Sequence, residues 1–298
     1  KHLKEAIQYC GQNGIKMGIF TNGVLFDKWD LFETMVDNMT WVRFSVDAGT
    51  KETYDEVRKS KKNQGWDKMA ENLNKLIEVN NEKGKKIDIG VGYVISPDNY
   101  HEVVEFAEFF SKFDLSYCQY KPEIVIREIG GIQRDIEFWE EKVEPTLRKA
   151  KEILGDKFEI NGYKLDDLEN DRKHFGRNYK KCLGSQIQPC VGADGHVYVC
   201  TNHRGWKQYS YGCLYDGKSF KEIWNDIESR RKVMHQIEEV ECFSKCTQLC
   251  KPHESNKAVW EIWKNMGEMS ATEKRSYVKS LNKMKEEVRK NLEHIEFI

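Results

Sequence analysis

Strand-length and helix-length apolar patterns alternate through the first 155 residues, and this alternation constrains the fold more than any other feature of the chain. The segments KMGIFT (16–21), WVRFSV (41–46), IDIGVGYVI (87–95) and LSYCQYK (115–121) read as four strands, the last halted by Pro122. Helices are expected between them. Leu3, Ala6, Ile7 and Cys10 recur at helical spacing, with Gly11 and Gly14 as terminators. A second helix is expected from about Trp29 to Val36 and a third after Thr50. Trp66, Met69, Leu73, Leu76 and Ile77 form the packing stripe of an amphipathic helix, and Val103, Val104, Phe106, Ala107 and Phe110 mark the next. A last helix is expected near residues 136–153. Such alternation builds βαβ units and a parallel sheet, wound right-handedly into a barrel or a doubly wound sheet. In either case ligands bind at the carboxyl ends of the strands. The residues there are Thr21-Asn22, Ser45 to Asp47, Ile95-Ser96 and Tyr120-Lys121. Ordinary turn chemistry accounts for any one of them; four polar ends on one rim point to a site.

Cysteine is the second constraint. Seven of nine fall between positions 182 and 250: Cys182, Cys190, Cys200, Cys213, Cys242, Cys246 and Cys250. Asp194-Gly195 is a hairpin turn signal, and residues 196–199 read as a return strand that ends on Cys200. CFSKCTQLC then spaces three cysteines four apart. Thiolates so arranged can converge on one soft-metal centre, either an iron–sulfur cluster or a structural zinc. The absence of any CxxC knuckle leans toward a cluster. Cys10 and Cys118 stand alone and read as free thiols, Cys118 in a buried strand. Of the histidines near the cysteines, His196, His203 and His253 read as neighbours of the ligands more readily than as ligands.

With 298 residues the chain has room for one large α/β domain and a small appendage. A net charge of −1 lacks the basic footprint of a nucleic-acid binder. No apolar run has membrane-spanning length, and the opening KHLKEAIQYCGQNG lacks the apolar core of a secretory signal. A reducing cytoplasm is the expected compartment. Residues 156–181 are highly charged and read as a linker or barrel end. Ser219 with Glu222 and Ser270 with Glu273 are capping boxes. The helical spacing of Trp260 and Trp263 suggests core packing.

The succession TNG, FSVDAGTKETYDEVR, VGYVIS with Asn99, and YCQYKP resembles strands three to six of the radical S-adenosylmethionine (radical SAM) enzymes. The region with Cys182, Gly195-x4-Cys200 and CTQLCKPHESN resembles the SPASM/twitch extension of that family. The resemblance implies an α/β fold: a partial (β/α)6 TIM-like barrel over residues 1–155, a linker or barrel end over 156–181, and a small cysteine-rich α+β iron–sulfur domain over 182–298. The family's CxxxCxxC loop and its Gly-Gly-Glu-Pro-like motif do not occur in the chain; both would precede Lys1. The resemblance therefore implies upstream sequence carrying them, and a chain that by itself does not cleave SAM. It implies one auxiliary [4Fe–4S] cluster held by Cys182, Cys200, Cys246 and Cys250, with Cys190, Cys213 and Cys242 as alternates or as ligands of a second cluster. In the full-length protein, S-adenosylmethionine on a catalytic [4Fe–4S] cluster generates a 5′-deoxyadenosyl radical that takes hydrogen from a substrate. By position Asn22, Ser45, Asp47 and Lys121 belong to the cofactor-binding rim. Implied partners are an electron donor such as flavodoxin or ferredoxin and a small-molecule, sugar or peptide substrate. CKPHESN leans the substrate toward a sugar-like or small metabolite. A non-catalytic iron–sulfur electron-transfer or scaffold protein, or a zinc-stapled binding protein, remains the alternative.

Overall fold

A computed structural model describes residues 2–58, 65–123, 136–160, 179–239 and 252–291. The described residues divide into two compact units, one up to Ile160 and one from Tyr179 onward. Within them no helix is long and apolar enough to cross a membrane.

The first unit is α/β. Its elements run α1 (Leu3–Gln12), β1 (Gly18–Thr21), α2 (Phe32–Asn38), β2 (Trp41–Ser45), α3 (Lys51–Arg58), α4 (Gly65–Glu82), β3 (Asp88–Ile95), α5 (Val103–Phe110), β4 (Tyr117–Pro122), α6 (Glu144–Leu154) and β5 (Phe158–Ile160). The five strands form one parallel sheet in the order β1-β2-β3-β4-β5. This is the arrangement of a partial TIM-like barrel. Strand alternation sorts the side chains by face. Val42, Phe44, Ile89, Val91, Tyr93, Ile95, Cys118 and Tyr120 point into a core shared with Met69, Leu73, Leu76, Phe106 and Phe110 of the helices. Tyr93 meets Phe106 edge-on at 4.9 Å and bonds the Asn99 carbonyl through its hydroxyl at 2.5 Å. The buried Asn80 is matched: it accepts from the Ile87 N–H at 3.2 Å and donates to its carbonyl at 2.9 Å.

Four details differ from the sequence reading. The second helix starts at Phe32, because Asp30 adopts a left-handed φ of 49° and leaves the exposed Trp29 in the preceding turn. Gly11 lies inside α1; a Cβ there would strike the Asn38 side chain, so its glycine lets α2 approach closely, while Gly14 at φ 69° makes the turn that follows. The helix near residue 136 starts as a short α-helical stretch, Ile136–Phe138, and passes through a π-turn over Trp139–Val143 before α6. Residues 158–160, inside the charged stretch, form the fifth strand. Three residues are too few for alternation to register.

The second unit carries a three-stranded antiparallel sheet of β6 (Cys190–Val191), β7 (His196–Tyr198) and β8 (Ser210–Cys213), then α7 (Phe220–Asn225), α8 (Ile227–Glu239), α9 (His253–Glu268) and α10 (Ala271–Asn291). Gly195 turns the hairpin at φ 77°. β8 went unread because its sequence, SYGC, has no strong alternation. Trp263 is 56% exposed and stacks on Trp260 at 5.0 Å, so the pair is not the core packing that its spacing suggested. Both capping boxes form. Ser219→Ala should cost about 1 kcal/mol at the start of α7. The check is amide exchange at Glu222 and Ile223, expected to quicken about fivefold.

Candidate functional site

Because the strands are parallel and in register, Thr21, Ser45, Ile95, Pro122 and Ile160 end along one rim. The most highly organised part of that rim is the corner between β2 and α3. Asp47 stands there at φ 61°. Its Oδ1 accepts from the Val94 N–H at 2.7 Å, and its Oδ2 pairs with Arg58. Asn99 locks the same corner: its amide donates to the Asp47 and Val94 carbonyls at 2.9 Å each, and its Oδ1 accepts from the Ser96 N–H at 2.8 Å. Burial raises the Asp47 carboxyl above the ordinary carboxylate range, against the opposing pull of Arg58, the Val94 N–H, Lys121 and Arg43.

Next along the corner, Glu102 is 7% exposed. Its Oε2 accepts from the Gly49 and Thr50 N–H groups at 2.8 and 3.1 Å, and its Oε1 from the Thr50 and Thr53 hydroxyls at 2.5 and 2.7 Å. One carboxylate thus satisfies the donors at the start of α3, the helix end that otherwise leaves N–H groups unpaired. Burial would raise its pKa; the bonds from Thr50, Thr53 and Gly49 outweigh burial and hold it below the ordinary range. Gly49 admits no Cβ, which would lie 2.7 Å from the Glu102 carbonyl oxygen and the Phe106 nitrogen.

The face of the sheet opposite the core is polar. Trp41, Arg43 and Ser45 of β2, Gly90 and Gly92 of β3, Tyr117, Gln119 and Lys121 of β4, and Glu159 of β5 share it by register. Arg43 donates to the Gln119 side-chain amide oxygen and stacks over the Phe20 ring at 4.1 Å; the Gln119 NH2 donates to Glu159 at 3.2 Å.

Of the rim residues chosen from sequence, Ser45 and Lys121 share this polar face, and Lys121 lies near enough to Asp47 to favour its ionised form. Asn22 is exposed and accepts from the Val24 N–H at 3.2 Å, a turn-making bond. Sequence reasoning assigned no role to Arg43, Arg58, Asn99, Glu102 or Gln119. The apolar neighbours of Glu102 in the chain were the available signal: a carboxylate just before Val103-Val104 must be paired to be buried.

In the second unit, Cys200 follows β7, buried, with its sulfur 3.1 Å from His203 Nδ1. Cys182 receives the Asn256 amide at 3.7 Å, and the same Asn256 accepts from the Gly184 N–H. Cys182 and Cys200 pack on one apolar cluster with Val197, Tyr209, Tyr211 and Ile237. Burial pushes the Tyr211 hydroxyl up to about 12, and both cysteines add to that shift. Cys190 lies opposite Tyr198. Cys213 lies opposite His196 at the turn end, bonded to the Asp194 carbonyl at 3.7 Å and away from Cys200. Cys242, Cys246 and Cys250 lie outside the described residues. Among the described residues no three His, Cys, Asp or Glu side chains are grouped to hold a metal ion.

No curated protein matches the sequence. The fold has solved relatives. Streptococcus suis SuiB matches with a TM-score of 0.53 at 13% identity, over 75% of this chain and 52% of that one. SuiB bound to S-adenosylmethionine matches at 0.52 and 12%, over 79% and 53%. SuiB bound to the precursor peptide SuiA matches at 0.50 and 15%, over 80% and 53%. The chain spans about half the length of these structures. The Radical SAM superfamily model matches residues 1–110, which run from α1 through β3 and α5 and contain the whole Asp47–Asn99–Glu102 corner. Over residues 1–110, a little more than a third of its length, the chain is therefore similar to the radical SAM superfamily.

Proposed function

We propose that this chain is part of a radical SAM enzyme that acts on a peptide and carries an auxiliary iron–sulfur cluster in its second unit. The superfamily match over residues 1–110 carries the reading. The likeness of fold to SuiB in its SAM-bound and peptide-bound forms supports SAM and a peptide as ligands, ahead of the sugar-like substrate that CKPHESN suggested. In such an enzyme the cluster and SAM together supply a 5′-deoxyadenosyl radical that takes a hydrogen atom from the substrate.

The chain's own residues orient and enclose that chemistry. Ser45, Asp47 and Lys121 stand where the parallel strands end, the place where α/β folds receive ligands. Asn99 and Glu102 hold the loop that carries Asp47, so donors and acceptors on it need no rearrangement when a ligand arrives. In the second unit, Cys182 and Cys200 pack on the apolar cluster that contains Tyr211, and Asn256 and His203 lie within reach of their sulfurs. Such N–H donors suit sulfur ligands of a soft metal. We assign Cys182 and Cys200 to the auxiliary cluster with Cys246 and Cys250. Cys213, at the far end of its sheet, fits that set less well.

The test is direct. The product of the natural gene, purified and reconstituted without oxygen, should release 5′-deoxyadenosine from SAM on reduction with dithionite. A protein that holds iron and sulfide yet releases none supports an electron-transfer or scaffold role and sinks the enzyme reading.

A further inference from the structure

Arg43 is only 9% exposed, in mid-strand, on the face turned away from the hydrophobic core. Among the described residues Gln119 is its hydrogen-bond acceptor, and no carboxylate lies within 4 Å of it. A guanidinium carries five donors in a flat fork. Burying it without an anion is costly, and nearly every buried arginine is paired. The surroundings hold the side chain in place. Its stem lies against Gly92, where a Cβ would stand 3.4 Å from Arg43 Cδ, and its guanidinium rests on the Phe20 ring. Gly90 in turn makes room for the Tyr117 ring, which a Cβ would enter. Two glycines in one strand weaken it, and here both clear this face.

The geometry points to Arg43 as the anchor for a carboxylate carried by the substrate, received on the polar face of the sheet between β1 and β4. This rests on the radical SAM reading and narrows its substrate to an acidic peptide. Charge selects the class. Asp47 is already paired with Arg58, and Glu159 is tied to Gln119. Arg43 itself is a buried positive charge with no carboxylate within 4 Å among the described residues, and its flat fork matches a planar carboxylate. Position separates this site from the cofactor rim: Arg43 stands two residues before Ser45, about 7 Å deeper along the strand. A planar carboxylate can take two parallel N–H bonds from the fork, while Gln119 and the Phe20 ring keep the guanidinium fixed.

The experiment uses the protein from its natural gene, reconstituted, with two probes: N-acetyl-Gly-Glu-Gly-amide and its Gln counterpart, titrated by saturation-transfer NMR. The wild type should bind the Glu peptide about tenfold more tightly. Arg43→Gln should erase the preference, and Arg43→Lys, which keeps charge but not the fork, should retain roughly a third of it. Equal binding of both peptides by the wild type overturns the inference, as does a preference that survives in Arg43→Gln. Where Arg43→Gln fails to fold, an undiminished preference in Arg43→Lys overturns it. SAM retention is measured in the same samples; loss of SAM with the peptide preference intact reassigns Arg43 to the cofactor. 5′-Deoxyadenosine release from the wild type separates the two readings: release without peptide preference sinks the anchor alone, and preference without release sinks the enzyme reading alone.

Discussion

Glu102→Ala should destabilise the first unit by about 4 kcal/mol, because four donors lose their acceptor at once and two of them are backbone N–H groups at the start of α3. Urea denaturation of wild type and variant measures it, and a loss under about 1 kcal/mol would remove the clamp from the account. Glu102→Gln makes the sharper comparison. The amide keeps one acceptor and turns an NH2 group toward donors. The pH dependence carries its own sign. The folded pKa of Glu102 lies below its ordinary value of 4.5. Its contribution is therefore complete above the unfolded-state pKa and is lost as pH falls through 4.5 toward the lower folded value. Between pH 6 and 3 the wild type should lose stability more steeply than Glu102→Gln. The difference between the two proteins isolates this group, since Lys83 and Lys85 hold Asp37 and Asp114 below their ordinary values as well.

Cys200→Ala should remove the auxiliary cluster's iron and sulfide from protein prepared without oxygen, and destabilise the second unit with it, since metal binding and local folding are one equilibrium. Cys118→Ala is the control. Cys118 is buried in β4, its thiol pushed up to about 12 by burial, and it packs as a small apolar group. That substitution should cost about 1 kcal/mol and leave iron unchanged. Equal iron loss in the two variants sinks the ligand assignment. Stoichiometric zinc without sulfide in the wild type sinks the cluster.

The parts of this molecule that announce themselves in sequence are those with a period. Val42, Phe44 and the alternating residues of β3 fall on one face as their spacing requires, and Met69, Leu73 and Leu76 follow the helical stripe. The rim follows too, because parallel strands necessarily end together. What stayed illegible has no period. The Glu102 clamp joins residues about fifty positions apart, and nothing local to Thr50 or Thr53 marks their shared acceptor. Arg43 reads as one more charged residue in a strand until register sets it in line with Gly90 and Tyr117, one pair short of Gly92 and Gln119 on the same face. β5 and β8 are too short, or too poor in β-branched residues, to separate from a loop. Trp263 shows the converse: helical spacing says which residues share a face, not whether anything covers it.

Every pairing in the parallel sheet joins a strand to the one before it in the chain. No strand must wait for a distant segment to be inserted between two already in place. The sheet can therefore grow by accretion as the chain leaves the ribosome, each helix closing the newest strand against the last. Such an order keeps loop closures short for a parallel topology, which otherwise folds slowly. It also gives assembly a direction: β2 offers an edge to β3 before β4 exists, and the three-residue β5 joins after all of them, as the strand with the least to hold it.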